Sequence, residues 1–227
     1  MLFPVKICGI TNEEDACMVA DAGADYIGVI IDFPGSPRSI TLQRARSILS
    51  SSKLPVVALI SQMDKGQTME ILDRLQPRAL QLIGEEAPAL VNELKGETGC
   101  VIWKSLHFPV RGQGEVDLDS ALRKVNSYVE TGVDALVLDT FDRTGMRGGT
   151  GKVFDWGIGR ELVRQIHGKV FLAGGITPHN VKQAIEEVRP YGIDLSSGVE
   201  SSIGRKDAGK LYSLMSTVRA LRTHYGS

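Results

Sequence analysis

Lys6-Ile7-Cys8-Gly9-Ile10-Thr11 ends a short apolar run on a cysteine, turns on a glycine and begins a helix. Thr11 and Glu14 have the spacing of a capping box, and Glu13, Glu14 and Asp15 put acid at the positive end of that helix. Side chains alternate along a strand, so Lys6 and Cys8 share one face and Ile7 takes the other. The same strand, turn and helix then recur along the chain. Apolar runs predict further strands at 26–31, 55–60, 79–83, 100–106, 134–139, 170–173 and 192–195. Between them lie helical stripes such as Leu118, Ala121, Leu122, Val125 and Val129, and Leu211, Leu214, Met215, Val218 and Leu221. Regular strand-then-helix alternation requires parallel strands joined by right-handed crossovers. Eight such units in one chain predict a closed α/β architecture, a (β/α)8 barrel (TIM barrel), as one domain over residues 1–227. No GxGxxG follows the first strand, which argues against a dinucleotide-binding sheet.

Composition narrows the function classes. The 227 residues carry 42% hydrophobic and 23% charged side chains and a formal net charge of −1. That balance offers no basic excess to neutralise phosphates, so no nucleic-acid partner is expected. No apolar run approaches the roughly 18 residues of a membrane span, and no membrane partner is expected either. Met1-Leu2-Phe3-Pro4 leads straight into the first strand, without the pattern of a signal peptide. Cys8, Cys17 and Cys100 are odd in number and far apart, which fits neither a disulfide framework nor a zinc site and predicts a reducing, cytoplasmic setting. Cys17 and Cys100 read as core residues.

Barrels of this kind keep their chemistry at the C-terminal ends of the strands. That rule selects Cys8, Arg38, Ile83, Lys104, Asp139, Gly174, Gly175, Asp194, Ser197 and Gly198. Gly174-Gly175 after the seventh strand and Ser196-Ser197-Gly198 after the eighth predict a phosphate cradle, because glycine lets backbone N–H groups approach an anion closely. Cys8 and Asp139, at the ends of strands one and six, form the candidate acid–base pair, with Lys6 expected to raise the thiolate fraction of Cys8. Arg38, behind a Pro-Gly-Ser-Pro segment, is suited to an anionic group. Gly148-Gly149-Thr150-Gly151 is expected to form a hinged or tight loop beside Asp139. Thr177-Pro178 is expected to cap the helix after the seventh strand, and Asp194 either points into the barrel or caps a loop. Lys104 leaves open a Schiff-base chemistry of the aldolase type.

Lys-Ile-Cys-Gly-Ile-Thr at 6–11 resembles the opening signature of the phosphoribosylanthranilate isomerases of tryptophan biosynthesis. The resemblance continues through Gly23-Ala24-Asp25, Ser36-Pro37-Arg38, Leu138-Asp139, Gly148-Gly149-Thr150-Gly151, Phe154-Asp155-Trp156, Leu172-Ala173-Gly174-Gly175 and Ser196-Ser197-Gly198-Val199-Glu200. It implies an Amadori rearrangement of N-(5-phosphoribosyl)anthranilate to the 1-deoxyribulose isomer by a monomer or homodimer, with neither metal nor organic cofactor. It further implies Asp139 as general acid, Cys8 as general base, Arg38 at the anthranilate carboxylate, and Gly174, Gly175, Ser197 and Gly198 at the phosphate of the phosphosugar. Two places depart from the family pattern. Ala58-Leu59-Ile60 stands where the family usually has Gly-Val-Phe, and Gln81-Leu82-Ile83-Gly84 where it usually has Gln-Leu-His-Gly. The second removes a histidine that faces the aromatic half of the substrate in the family. Both bear on substrate affinity or identity, so the alternatives are a divergent paralogue acting on another phosphorylated aminosugar, or a binding protein without turnover.

Overall fold

The computed structural model describes residues 3–112, 114, 116–141 and 155–226. The main sheet has nine strands, one of which is a two-residue appendage at Ser39–Ile40; the other eight close into a barrel. They are β1 (Val5–Ile7), β2 (Tyr26–Ile31), β3 (Val56–Ile60), β4 (Ala79–Leu82), β5 (Ile102–Pro109), β6 (Ala135–Phe141), β7 (Val170–Leu172) and β8 (Gly192–Leu195). Each pairs in parallel with its sequence neighbour, and β1 pairs with both β2 and β8, which closes the ring. The helices outside are α1 (Glu13–Ala22), α2 (Leu42–Ser51), α3 (Lys65–Leu75), α4 (Pro88–Thr98), α5 (Leu118–Val129), α6 (Trp156–Gln165), α7 (Val181–Val188) and α8 (Ala208–Gly226).

Local chemistry sets the ends of these elements. Asp64 and Gln67 form a reciprocal capping box at the start of α3, and Pro88 occupies the first turn of α4 where no N–H is missed. Gly23 ends α1 in the left-handed region, at φ 91°. The cap of α1 itself is Asn12 rather than Thr11: Asn12 accepts the Asp15 N–H, while the Thr11 hydroxyl donates to the Gly204 carbonyl 2.8 Å away. The cap of α7 is Asn180 rather than Thr177-Pro178, because the Asn180 side chain accepts the Thr177 N–H and the helix starts only beyond it. β5 and β6 run further than the apolar runs indicate, since the ladder continues through His107 opposite Asp139 and Phe108 opposite Thr140.

Two apolar groups follow from the period of two. Val56, Ala58 and Ile60 of β3 face the helices, whereas Val57 and Leu59 face the barrel interior with Cys8, Ala79, Trp103, Ala135, Val137 and Phe171. The Trp103 and Phe171 rings stack at 4.5 Å between centroids, and Tyr26 meets Trp103 edge-on. The same parity carries polar residues inward near the C-terminal ends: Lys6 with Cys8, Gln81 with Ala79, Ser105 and His107 with Trp103, and Asp139 with Val137. Helix α1 buries Ala16 and Val19 but leaves Cys17 exposed, so Cys17 is not a core residue; Cys100 is half-buried.

Candidate active site

The strand ends surround one cleft. It is lined by Cys8 from β1, Arg38 after β2, Leu59 from β3, Gln81 and Ile83 around β4, Ser105 and His107 from β5, and Asp139 from β6. Gly174 and Gly175 after β7, Asp194 of β8, and Ser196, Ser197 and Gly198 beyond it complete the wall. All seven residues selected from the sequence as acid, base or ligand therefore meet in one place. Gly148-Gly149-Thr150-Gly151 and Phe154 lie outside the described residues.

Gly28 makes room for the β1 end. A Cβ there would lie 3.0 Å from both the Cys8 Sγ and the Lys6 Cε, which places these two side chains together inside the barrel. Lys6 is fully buried, and its Nζ donates to Asp194 Oδ2 at 2.7 Å, as expected for residues paired in register across β1 and β8. Asp194 thus points into the barrel. Its Oδ1, like the Ser196 hydroxyl and the Gln81 Oε1, is buried without a partner among the described residues, so the cleft retains polar groups aimed at a ligand.

The glycines of the β7 and β8 loops are required by geometry. Gly174 and Gly175 have φ of 75° and 66°, and a Cβ on Gly174 would sit 2.6 Å from the Thr140 hydroxyl. A Cβ on Gly198 would lie 2.0 Å from the Ile176 carbonyl oxygen, so the two loops interlock only with glycine there. The N–H groups of Gly174, Gly175 and Gly198 meet no acceptor among the described residues. With the short 3-10 turn at Ser197–Val199 they form a cradle of donors suited to a phosphate.

Charge in the cleft is arranged in pairs. Burial alone would lower Lys6, but Asp194 and Cys8 beside it reverse this, and its pKa ends above the ordinary lysine value. Burial pushes the Cys8 thiol above its usual range; Lys6 and Lys206 oppose the rise and Asp194 adds to it. The expected activation of Cys8 by Lys6 is thus outweighed, because burial dominates and Asp194, 2.7 Å from the Lys6 ammonium, offsets the lysine charge. Withdrawal from water raises Asp139 to about 7; the Thr140 N–H opposes this, Asp194 adds to it and Lys6 opposes it. A carboxyl group poised near neutrality can donate a proton.

Two selected arginine and lysine positions behave differently from expectation. Arg38 lines the cleft but is already engaged, donating to both Glu200 oxygens at 2.8 and 2.6 Å, and this bidentate pair raises its pKa further. Lys104 faces the helices. Its Nζ is held by the Leu82 and Gly84 carbonyls and by Glu86 Oε2 at 3.3, 2.6 and 3.0 Å, away from the cleft, which removes it as a Schiff-base nucleophile. Gln81, Ser105, Glu200 and Lys206 were not selected as site residues. For Gln81 and Ser105, joined at 2.9 Å, the signal was available as polar residues at inward positions of β4 and β5. Glu200 closes the Ser196-Ser197-Gly198-Val199-Glu200 motif, but no local pattern marks its pairing with Arg38 or the place of Lys206.

Residues 5–217 match the family model described as N-(5'phosphoribosyl)anthranilate (PRA) isomerase. The chain is 37% identical over 222 residues to the N-(5'-phosphoribosyl)anthranilate isomerase of Methanocella arvoryzae, covering 96% of this chain and 99% of that one. Among solved structures it superposes at a TM-score of 0.80 on the dimeric isomerase of Thermotoga maritima in a form with mutually generated monomers, at 30% identity over 96% of this chain and 100% of that one. It superposes at a TM-score of 0.78 on a phosphoribosyl anthranilate isomerase in complex with reduced 1-(o-carboxyphenylamino)-1-deoxyribulose 5-phosphate, at 27% identity, over 96% of this chain and 100% of that one.

Proposed function

The chain belongs to the N-(5'-phosphoribosyl)anthranilate isomerase family, an aldose–ketose isomerase of tryptophan biosynthesis, and on that premise we propose that Cys8 and Asp139 are its base and acid. Asp139, protonated near neutrality, gives its proton to the furanose ring oxygen as the C1–O bond breaks, leaving a protonated imine between C1 and the anthranilate nitrogen. The Cys8 thiolate then takes the proton from C2. The C2–H electron pair moves into the C1–C2 bond and the imine electrons return to nitrogen, giving an enolamine that tautomerises to the ketone. The cradle at Gly174, Gly175, Ser197 and Gly198 holds the phosphate, and the Arg38 N–H groups not engaged by Glu200 receive the anthranilate carboxylate. Leu59 and Ile83 give the aromatic ring an apolar wall.

The observation that carries the assignment is that Cys8, Asp139 and the glycine cradle line one cleft, with the acid poised near pH 7. The test follows the loss of phosphoribosylanthranilate fluorescence. Cys8→Ala and Asp139→Asn are each expected to lower kcat by 10² to 10⁴-fold, roughly the contribution of a positioned acid or base. Turnover by Cys8→Ala within tenfold of the parent would remove Cys8 from the mechanism. Free Cys8, Cys17 and Cys100 support a cytoplasmic setting, and no helix among the described residues is long and apolar enough to cross a membrane. The small phosphosugar is the partner, and the chain acts as a monomer or homodimer, a choice that sedimentation equilibrium decides.

A further inference from the structure

Lys206 is fully buried behind the cleft, on the hairpin that follows β8, and the chemistry above does not use it. Its Nζ meets three acceptors: the Cys8 carbonyl at 2.7 Å, Glu200 Oε1 at 2.9 Å and the Ser196 carbonyl at 3.3 Å. Burial lowers its pKa and Glu200 opposes the fall, and the three acceptors around one nitrogen match the three donors of an ammonium rather than the two of a neutral amine. The same Glu200 carboxylate is also clamped by Arg38, so two cations share one anion and the cluster has a net charge of +1. Lys6 and Asp194, the neighbouring pair, sum to zero. The surplus positive charge therefore lies against the backbone of Cys8 and of Ser196, beneath the base and the phosphate cradle together.

We propose that Lys206 is a positioning residue for the isomerisation, one that holds a net positive charge behind Cys8 and so keeps part of its thiol ionised despite burial. The inference rests on the assignment of Cys8 as base. The charged and titratable groups around Cys8 and Lys206 are Lys6 on the Cys8 strand, Asp194 on β8, Glu200 on the hairpin, Arg38 after β2, His107 and Asp139 across the cleft, and Asp15 of α1, whose carboxylate accepts the Lys206 backbone N–H at 3.0 Å. Of these, Lys6 is matched by Asp194, whereas Arg38 and Lys206 share the single Glu200 carboxylate, and of that trio it is Lys206 that acts on the thiol.

The test reads the thiol directly, by the pH dependence of iodoacetamide alkylation of Cys8 in protein carrying Cys17→Ser and Cys100→Ser. Lys206→Gln, which keeps two donors but loses the charge, is expected to raise the pH of half-maximal alkylation by about 1, with roughly tenfold slower alkylation below it. Lys206→Arg is expected to leave it near the parent value. Glu200→Gln, which leaves two cations without their anion, is expected to move it the other way. An unchanged titration in Lys206→Gln, or equal rises in the Gln and Arg variants, overturns the proposal and leaves Lys206 a structural strut. Should Lys206→Gln fail to fold by circular dichroism, the opposite shift in Glu200→Gln carries the test, and its absence sinks the idea. Because alkylation does not need turnover, an inert role for Cys8 would show separately, as activity retained in Cys8→Ala.

Discussion

At the scale of single residues, the chemistry turns on two groups whose surroundings push in the same direction. Burial raises both Cys8 and Asp139, but the proposed mechanism uses the first as thiolate and the second as acid. The acid form of Asp139 predominates below about 7 and is lost above it, while the thiolate of Cys8 is gained as pH rises. Because the thiol titrates above the acid, the competent state of the free enzyme is a minor one, and kcat/KM is expected to follow a bell between the two apparent values. The limb near pH 7 reports whichever of the two coupled protons leaves first. Asp139→Asn is expected to abolish that limb in the residual rate, measured from pH 5.5 to 9.5; a residual profile that still breaks near pH 7 would assign the break to another group.

At the scale of elements, strand parity and loop closeness do separate tasks. Parity turns Lys104 outward and Ser105 and His107 inward on β5, and this is what converts Lys104 from a nucleophile candidate into a latch for Glu86. Lys104→Met leaves the buried Glu86 with two backbone N–H donors but no cation, and is expected to lower stability by about 3 kcal/mol in urea titration, with turnover of the folded fraction kept. If borohydride traps a substrate adduct at Lys104, the latch reading fails. The loops after β7 and β8 act instead through contact. At Gly198 a methyl group meets the Ile176 carbonyl at 2.0 Å, so Gly198→Ala is expected to displace the cradle, raising KM at least tenfold with a smaller change in kcat. An unaltered KM would place the phosphate elsewhere.

At the scale of the whole molecule, closure of the ring decides which residues meet. Arg222 of α8 donates twice to the Phe3 carbonyl, at 3.1 and 2.7 Å, and pairs with Asp25, whose Oδ2 also accepts the Val5 N–H. The last helix is thereby fastened to the first strand. Arg222→Ala is expected to lower stability by about 1–2 kcal/mol without altering kcat at 25 °C; a change in kcat would mean that the fastening reaches the cleft. Although β6 runs two residues beyond Asp139, the repeated strand and helix periods, the glycine turns and the inward positions of Cys8 and Asp139 near the C-terminal ends of their strands are local patterns, and the sequence by itself determined them. It also placed Lys6 and Cys8 on one face, because a period of two needs only adjacent residues. The caps fall at Asn12 and Asn180 instead, because the Thr11 hydroxyl is taken by the Gly204 carbonyl and the Asn180 amide folds back to accept the Thr177 N–H. What only the tertiary structure decided is partnership across the closed ring. Lys6 meets Asp194 across 188 positions, Arg38 meets Glu200 across 162, and Lys206 reaches the Cys8 carbonyl across 198. No local period encodes such pairs. They exist because β1 hydrogen-bonds to both its first and its last neighbour, and because burial obliges each charge to find its counterpart.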